Sequence, residues 1–594
     1  MVLAVGTWRR GRRRAAVALT SLVVLIAFLP FLVPVSQTTT APAAPPLPED
    51  LYGLWTVAPA IVAIGMAILL RQVFPAMIMG ILTASAMVMY CLPPEAKFGG
   101  ANGFVTAARL AIERYLVGAI ADPSHSGTAD PARMMTVLAS LTISGMVAVI
   151  HANGGTAAMV RAVSGLARTR RRGQLTTFLA GLVVFFDDYS NCLIIGPTMR
   201  PITDRLRISR EKLSFILDAT AAPVASLALF GTWITTEVSF IQTGLDQLKS
   251  DGHLPAFLAD VGAYEAFVRS LPYRYYAIFT LVLVFLLGWT GRDFGPMRKA
   301  EEREAARATP FQEEHRITAH DRAKWWYAGL PVGGLVVATV LILFLTGWYG
   351  SAEPRTMADI LKNVNAYAAI LYGAIISVLL AIGLSVATRS LTFMRSLESM
   401  MEGVQRVIPA IAILIFAWAL SDSMRDLHLG QVAVRELKSH QFSPHLLPLM
   451  IFVAACIVSF ATGTSWGTMG ILCPVAVLLA GHLATDLARD DALTLFYGSV
   501  GSVLAGAVFG DHCSPISDTT VLSALASECS LEAHVWTQLP YAVTAALMEI
   551  VAGDLLCGWL GAPAWVGLLT GSAGLVVIVY AIGRPIRERA AVVA

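Results

Sequence analysis

Residues 509–520 read FGDHCSPISDTT and lie between the apolar runs LFYGSVGSVLAGAV and VLSALA. Two carboxylic acids, a histidine, a proline and several hydroxyls thus occupy a stretch otherwise fit for lipid, where ionisable groups are costly and as a rule functional. A proline inside a helix has no N–H for the carbonyl four residues back, and its ring pushes that carbonyl aside. Pro515 is therefore expected to free the carbonyl of Asp511, and a free carbonyl in hydrocarbon needs a partner. A dehydrated sodium ion is such a partner, with Asp511, Ser514, Asp518 and Thr519 offering further oxygens. Carboxylates add what neutral oxygens lack. A carboxyl removed from water holds its proton more tightly, and once the proton leaves it binds a cation in its place. Competition of H+ with Na+ for one carboxylate is the minimum machinery of an exchanger. Asp511 and Asp518 are candidate proton carriers, and His512, whose ordinary pKa lies near neutrality, is a candidate relay.

Three other stretches carry matching chemistry. DDYSN supplies Asp187, Asp188, Ser190 and Asn191, with Asp188 a further candidate proton carrier; ATGTSWGT supplies Thr464, Ser465 and Thr468; DATAAPVAS supplies Asp218 and a second helix-breaking proline, Pro223. Oxygen ligands of this kind suit hard cations, and with no matched His/Cys set the expected metal is Na+ alone, with no transition-metal site and no cofactor. GTSWG also fits the nucleophile-elbow pattern of serine hydrolases. That motif needs a preceding strand, whereas both flanks here are expected to be helical, so no enzyme is expected. His534, in EAHVW, is expected outside the site.

The elements that must position these groups follow from composition. Of 594 residues 56% are hydrophobic and 14% charged, well below the charged share of about 25% usual in soluble chains. A dozen or so apolar runs near the length that crosses a bilayer identify an all-α polytopic membrane protein. The net charge of +3 marks no nucleic-acid footprint, and the seven cysteines are scattered singly without metal-ligand spacing. Basic clusters at 168–172, 200–212 and in the loop after residue 292 are expected on the cytoplasmic face. For the first two to share a face, residues 174–199 must enter and leave by one side as a re-entrant hairpin with DDYSN at its tip. Residues 447–480 have the same build around ATGTSWGT.

Aligning Pro197 with Pro474 and Pro223 with Pro515 superposes small and polar residues of the two halves, and an odd number of crossings separates them. The expected architecture is therefore two inverted repeats, each with a re-entrant hairpin and a proline-broken transmembrane helix. The divisions are 1–50, a signal or extra transmembrane segment plus linker; 51–292, the first repeat, with hairpin 174–199 and broken helix 213–241; and 293–325, a cytoplasmic charged loop. They continue with 326–560, the second repeat, with hairpin 447–480 and broken helix 492–526, and 561–594, an extra transmembrane helix. No Lys or Arg is expected inside the core, which weighs against an anionic substrate. A channel fits paired, occludable sites less well than a carrier does.

FGDHCSPISDTT closely resembles the signature of the NhaC family of sodium/proton antiporters. DATAAPVAS, FATGTSWGTMGILCPVA and PAIVAIGMAILLRQVFPAMIMGI are similar to other stretches of that family. The resemblance covers roughly residues 50 to 550. It implies membership of the ion-transporter superfamily, a multi-pass protein of the cell (inner) membrane, a homodimer, and a transport part (174–241 and 447–526) sliding as an elevator against a scaffold. The expected activity is exchange of Na+ for H+ by alternating access. The alternative is a Na+-coupled transporter or exchanger of a small organic acid, of malate/lactate type, or of an amino acid.

Overall fold

The computed structural model describes residues 53–91, 103–306, 323–350, 365–428 and 443–586, less Arg71, 123–127, Asp130, Asp251, His253 and Ile516, together with Val432, Arg435 and Ser439. The proposed N-terminal segment 1–50, the middle of the charged loop and the last eight residues lie outside the described part.

Apolar runs without internal charge become helices because a helix bonds its own backbone, the condition for crossing lipid. The first set is α1 (Ala58–Leu70), α2 (Val73–Cys91) and α3 (Pro131–Ala152). It is followed by α4 (Arg170–Val183), α5 (Asp188–Arg205), α6 (Arg210–Leu227), α7 (Ile234–Ser250) and α8 (Tyr275–Thr290). Then come α9 (Trp326–Gly350), α10 (Ala366–Ala387) and the long α11 (Phe393–Asp426). The last set is α12 (Leu447–Thr462), α13 (Ser465–Leu483), α14 (Arg489–Cys513), α15 (Asp518–Ala526), α16 (Leu531–Met548) running into a π-helical segment (Glu549–Trp559), and α17 (Ala564–Ala581). Nine helices among the described residues are long and apolar enough to cross a membrane.

Local chemistry sets several ends. Asp187, Ser209, Asn365 and Thr392 cap α5, α6, α10 and α11, each accepting from a backbone N–H one turn on. Gly463 closes α12 at φ +66°, a left-handed conformation that side chains rarely adopt, and the chain then turns within two residues into α13. The second break lies where Pro515 puts it: α14 stops at Cys513 and α15 starts at Asp518. The first does not lie at Pro223. Helix α6 runs through that proline to Leu227, and the chain is non-helical from Ala228 to Trp233 instead. A proline weakens a helix without obliging it to stop, and beyond it the last turn of α6 is closed by Ser226 Oγ, which donates to the Pro223 carbonyl at 3.0 Å.

Two packing groups result. Helices α1, α2, α3, α9, α10 and α11 pack on one another, and α4–α7 pack with α12–α15. Within the second group the partners cross over: α7, after the first break, lies on α13, and α15, after the second break, lies on α5.

The charged loop contributes more than surface. Its helix, Gly295–Ala305, inserts Glu301, fully buried, which accepts from Arg170 Nη2 at 2.5 Å and from the backbone N–H of Ser209 at 2.7 Å. Asp293 beside it accepts from Lys212 Nζ and Tyr541 Oη, both at 2.6 Å. The starts of α4 and α6 are thus anchored on the loop.

Close helix approach is tested at Gly506, where an added Cβ would meet the Phe452 carbonyl of α12 at 2.6 Å. Gly506→Ala should lower the thermal midpoint of purified protein, overpacking costing about 1–3 kcal/mol. Gly383→Ala, which meets nothing within 4 Å, should leave the midpoint unchanged or raise it.

Candidate functional site

Both hairpin tips and both breaks meet in the interior. Tip one touches break one through the Thr232 N–H, which donates to the Phe186 carbonyl at 3.1 Å, and break two through Tyr189 Oη, which donates to Asp518 Oδ2 at 3.2 Å. Tip two touches break one through Trp466 and Trp233, whose rings lie 5.4 Å apart. Its contact with break two is the densest. Ser465 Oγ donates its one proton to Asp511 Oδ2 and lies 3.0 Å from the Ala507 carbonyl. Helix α12, with no strand, precedes this serine, so the elbow geometry a hydrolase requires is not formed.

Asp511 is buried, and Ser517 Oγ donates to its Oδ1 at 3.3 Å. The carboxylate is therefore held by neutral hydroxyls, one from the tip and one from the break. Its backbone carbonyl, freed by Pro515 as expected, accepts the Thr520 hydroxyl. The ion imagined for that carbonyl is replaced there by a side chain nine residues on. Asp518 is exposed at the first turn of α15, so of the two acids in the motif Asp511 occupies the interior. Thr519 is buried and pairs with Ser517 Oγ at 3.3 Å; Ser514 is fully buried in the break.

Asp218 has different surroundings. One oxygen, Oδ2, accepts from Gln538 Nε2 at 2.6 Å and lies 3.0 Å from Thr520 Oγ1 and 3.3 Å from His534 Nε2. Gln538 Nε2 also donates to the His512 carbonyl at 2.6 Å. His534 thus sits inside the cluster, contrary to its expected position. The sequence signal was its spacing: His534 and Gln538 are four apart and share one face of α16. His512 is engaged at both ring nitrogens, Nε2 with the Asp218 carbonyl at 3.1 Å and Nδ1 with Tyr276 Oη at 2.8 Å. A carbonyl only accepts, so Nε2 carries the proton and Nδ1 takes the tyrosine's. A neutral ring satisfies both.

At tip one, Asp187 Oδ2 accepts from the Ser190 N–H at 2.8 Å and Asp188 Oδ1 from the Tyr189 N–H at 3.0 Å. Asp188 is buried within electrostatic reach of Asp511. Asn191 Nδ2 lies in reach of the carbonyls of Gly181 (2.9 Å), Val184 (3.2 Å) and Thr220 (3.0 Å), clamping both hairpin arms to α6. At tip two, Thr468 Oγ1 turns back on the Thr464 carbonyl at 3.0 Å, a local bond that stiffens the first turn of α13.

The expectation of a core without Lys or Arg is corrected. Arg274 is fully buried: it donates to Glu237 Oε2 on α7 at 3.0 Å, to Ser270 Oγ at 3.3 Å and to the Ser226 carbonyl, and it covers the Phe267 ring at 4.7 Å. Through its two terminal nitrogens it ties the last turn of α6 to α7 at the first break. Among the described residues no group of three or more His, Cys, Asp and Glu is placed to hold a metal ion.

A family model described as "Na+/H+ antiporter family" matches residues 224–559, which hold the second tip, both breaks and the Asp511 cluster. The chain belongs to that family. This Na+/H+ antiporter family member is accordingly a multi-pass membrane protein of a transporter family. It is 29% identical over 532 residues to an uncharacterized protein of Haemophilus influenzae, covering 89% of this chain and 95% of that one. Over 160 residues it is 30% identical to the malate-2H+/Na+-lactate antiporter of Bacillus subtilis, covering 26% of this chain and 32% of the relative. The Na+/H+ antiporter NhaC of Alkalihalophilus pseudofirmus is 27% identical over 151 residues, covering 25% and 29%.

The Asn191 clamp generates an expectation. Asn191→Asp keeps the shape and removes the donor, so it should destabilise the purified protein about as much as Asn191→Leu does. Each stranded buried carbonyl costs about 1–3 kcal/mol. Wild-type thermal stability of Asn191→Asp would contradict the clamp.

Proposed function

We propose that this protein exchanges Na+ for H+ by alternating access, with Asp511 as the carboxylate that takes either ion. The observation that carries the reading is the setting of Asp511: buried, beside an interrupted helix, facing hydroxyls from two segments and, among the described residues, with no cationic side chain bonded to it. A charge so placed needs a proton or a cation. Ser465 and Ser517 would complete a sodium shell with oxygens near the breaks, and Asp188 would raise the cation's attraction from tip one. Asp518, Ser514, Thr519, Ser190, Thr464 and Thr468 would line or shape the approach. The network around Asp218 would position rather than carry, and His512, with both nitrogens occupied, would hold α14 against α6 and α8.

We further propose that 51–292 and 326–560 are inverted repeats. The crossed packing of α7 on α13 and α15 on α5 supports this, each repeat completing the other's hairpin. The dense packing within α4–α7 and α12–α15, which meet the first group mainly where α13 and α7 lie on α11 and α3, supports a mobile transport part, elevator-like, against a scaffold. Assembly as a homodimer rests on the family resemblance. Organic-acid exchange is the second reading, favoured by the likeness to the malate-2H+/Na+-lactate antiporter. Against it, the buried guanidinium that an anion would need is already bonded to Glu237.

Proton flux in everted vesicles, with Na+, Li+, K+, malate and lactate added in turn, separates the readings. Na+ alone should move protons, and Asp511→Asn should reduce that flux to background while folded protein persists. Asp518→Asn should keep a measurable fraction. Proton movement with malate or lactate and none with Na+, or wild-type flux in Asp511→Asn, would overturn the proposal.

A further inference from the structure

A second acidic site lies away from the tips and breaks. The π-helical segment bonds i to i+5, which places Glu549 and Asp554 one turn apart on the same face. Glu549 is fully buried, and among the described residues no side chain bonds either of its oxygens, which face the backbone N–H of Tyr276. Asp554 is 4% exposed, receives the Ser502 hydroxyl at 3.3 Å on Oδ1, and leaves Oδ2 without a partner. A cavity of about 280 Å³ opens beside it, lined among others by Tyr273, Tyr275, Ser502 and Asp554, with His445 and Asp491 toward the helix ends. Among the described residues no Lys or Arg lines it.

The groups facing this pair from neighbouring elements are Cys456 of α12, Tyr275 of α8 and Cys557 of its own segment. None supplies positive charge, and among the described residues Tyr273, His445 and Asp491 complete the titratable lining. Two carboxyls this close in so dry a setting cannot both be charged without a counterion. One or two protons satisfy them, as does a single alkali cation held by the free oxygen of Asp554, the Ser502 hydroxyl and waters in the cavity.

The cavity also has a defined side. Helix α8 runs from Tyr275 at the cavity to Gly291, which lies against Arg171 of the basic cluster. The site therefore faces away from that cluster, the outer face by the positive-inside bias.

We propose that Glu549, Asp554 and Ser502 form a second, peripheral site that exchanges protons for Na+ on the outer face, separate from Asp511. The site does not depend on the central reading. A hydrophobic carbodiimide applied to the purified full-length protein, with residue-resolved mass spectrometry, tests it. Glu549 or Asp554 should be modified in choline chloride, and NaCl of equal ionic strength should lower that modification about threefold or more as Na+ occupies the pair. The protection should persist in Asp511→Asn, where the central site is silenced. Absence of modification at both residues, equal modification in the two salts, or protection lost in Asp511→Asn would each overturn the proposal. Asp554→Asn should abolish protection of Glu549; protection retained there would equally contradict a shared site. The wild-type comparison needs no variant to fold.

Discussion

Interrupting a helix in a dry interior strands polar backbone, and the central part of this protein is organised around bonding it. The Asp511 carbonyl is taken by Thr520, that of His512 by Gln538, and those of Gly181 and Val184, at the first tip, lie in reach of the Asn191 amide. Every one of these donors comes from a different segment or a later turn. The breaks are therefore held open by side chains that cannot be removed singly without leaving a buried acceptor bare. Among the carboxylates left without a cationic partner by this bonding are Asp511 and Asp188, and Asp511 is the one we propose as the ion's ligand.

Anchoring extends outward through buried ion pairs. Arg274 with Glu237 fixes the end of α6 and the start of α7. Lys212 with Asp293 and Arg170 with Glu301 fix the first turns of α6 and α4 to the loop that follows α8. Breaking one partner of such a pair leaves an uncompensated charge, so these pairs hold geometry even where their net contribution to stability is small. The elements that carry the tips are thus clamped at their ends, while the tips themselves meet through hydroxyls, amides and aromatic rings.

Much of this was legible in the sequence, and the reasons differ by residue. Apolar run length located the long helices, and the oddity of acids in lipid-like sequence located Asp511, Asp188 and Asp218. Pro515 marked its break because the helix ends there. Pro223 misled because a proline weakens a helix without obliging it to stop, and the actual interruption near Trp233 depends on packing against Phe186 and Trp466. His534 and Gln538 were hidden because their partner, Asp218, is more than 300 residues away. Glu301 was hidden for the same reason: a glutamate in a charged loop looks solvated until the base of another hairpin closes over it. Local pattern reports which groups are expensive to bury, whereas long-range packing decides what they are buried against.

The central claim is that one carboxylate, Asp511, binds either a proton or Na+. The pH dependence of the apparent Na+ affinity of the purified protein tests it most directly. Single-site competition requires the affinity to weaken about tenfold for each unit of falling pH once protonation sets in, and Asp511→Asn to remove that dependence from the high-affinity phase. A Na+ affinity that does not change with pH, or one whose pH dependence survives in Asp511→Asn, would contradict the account.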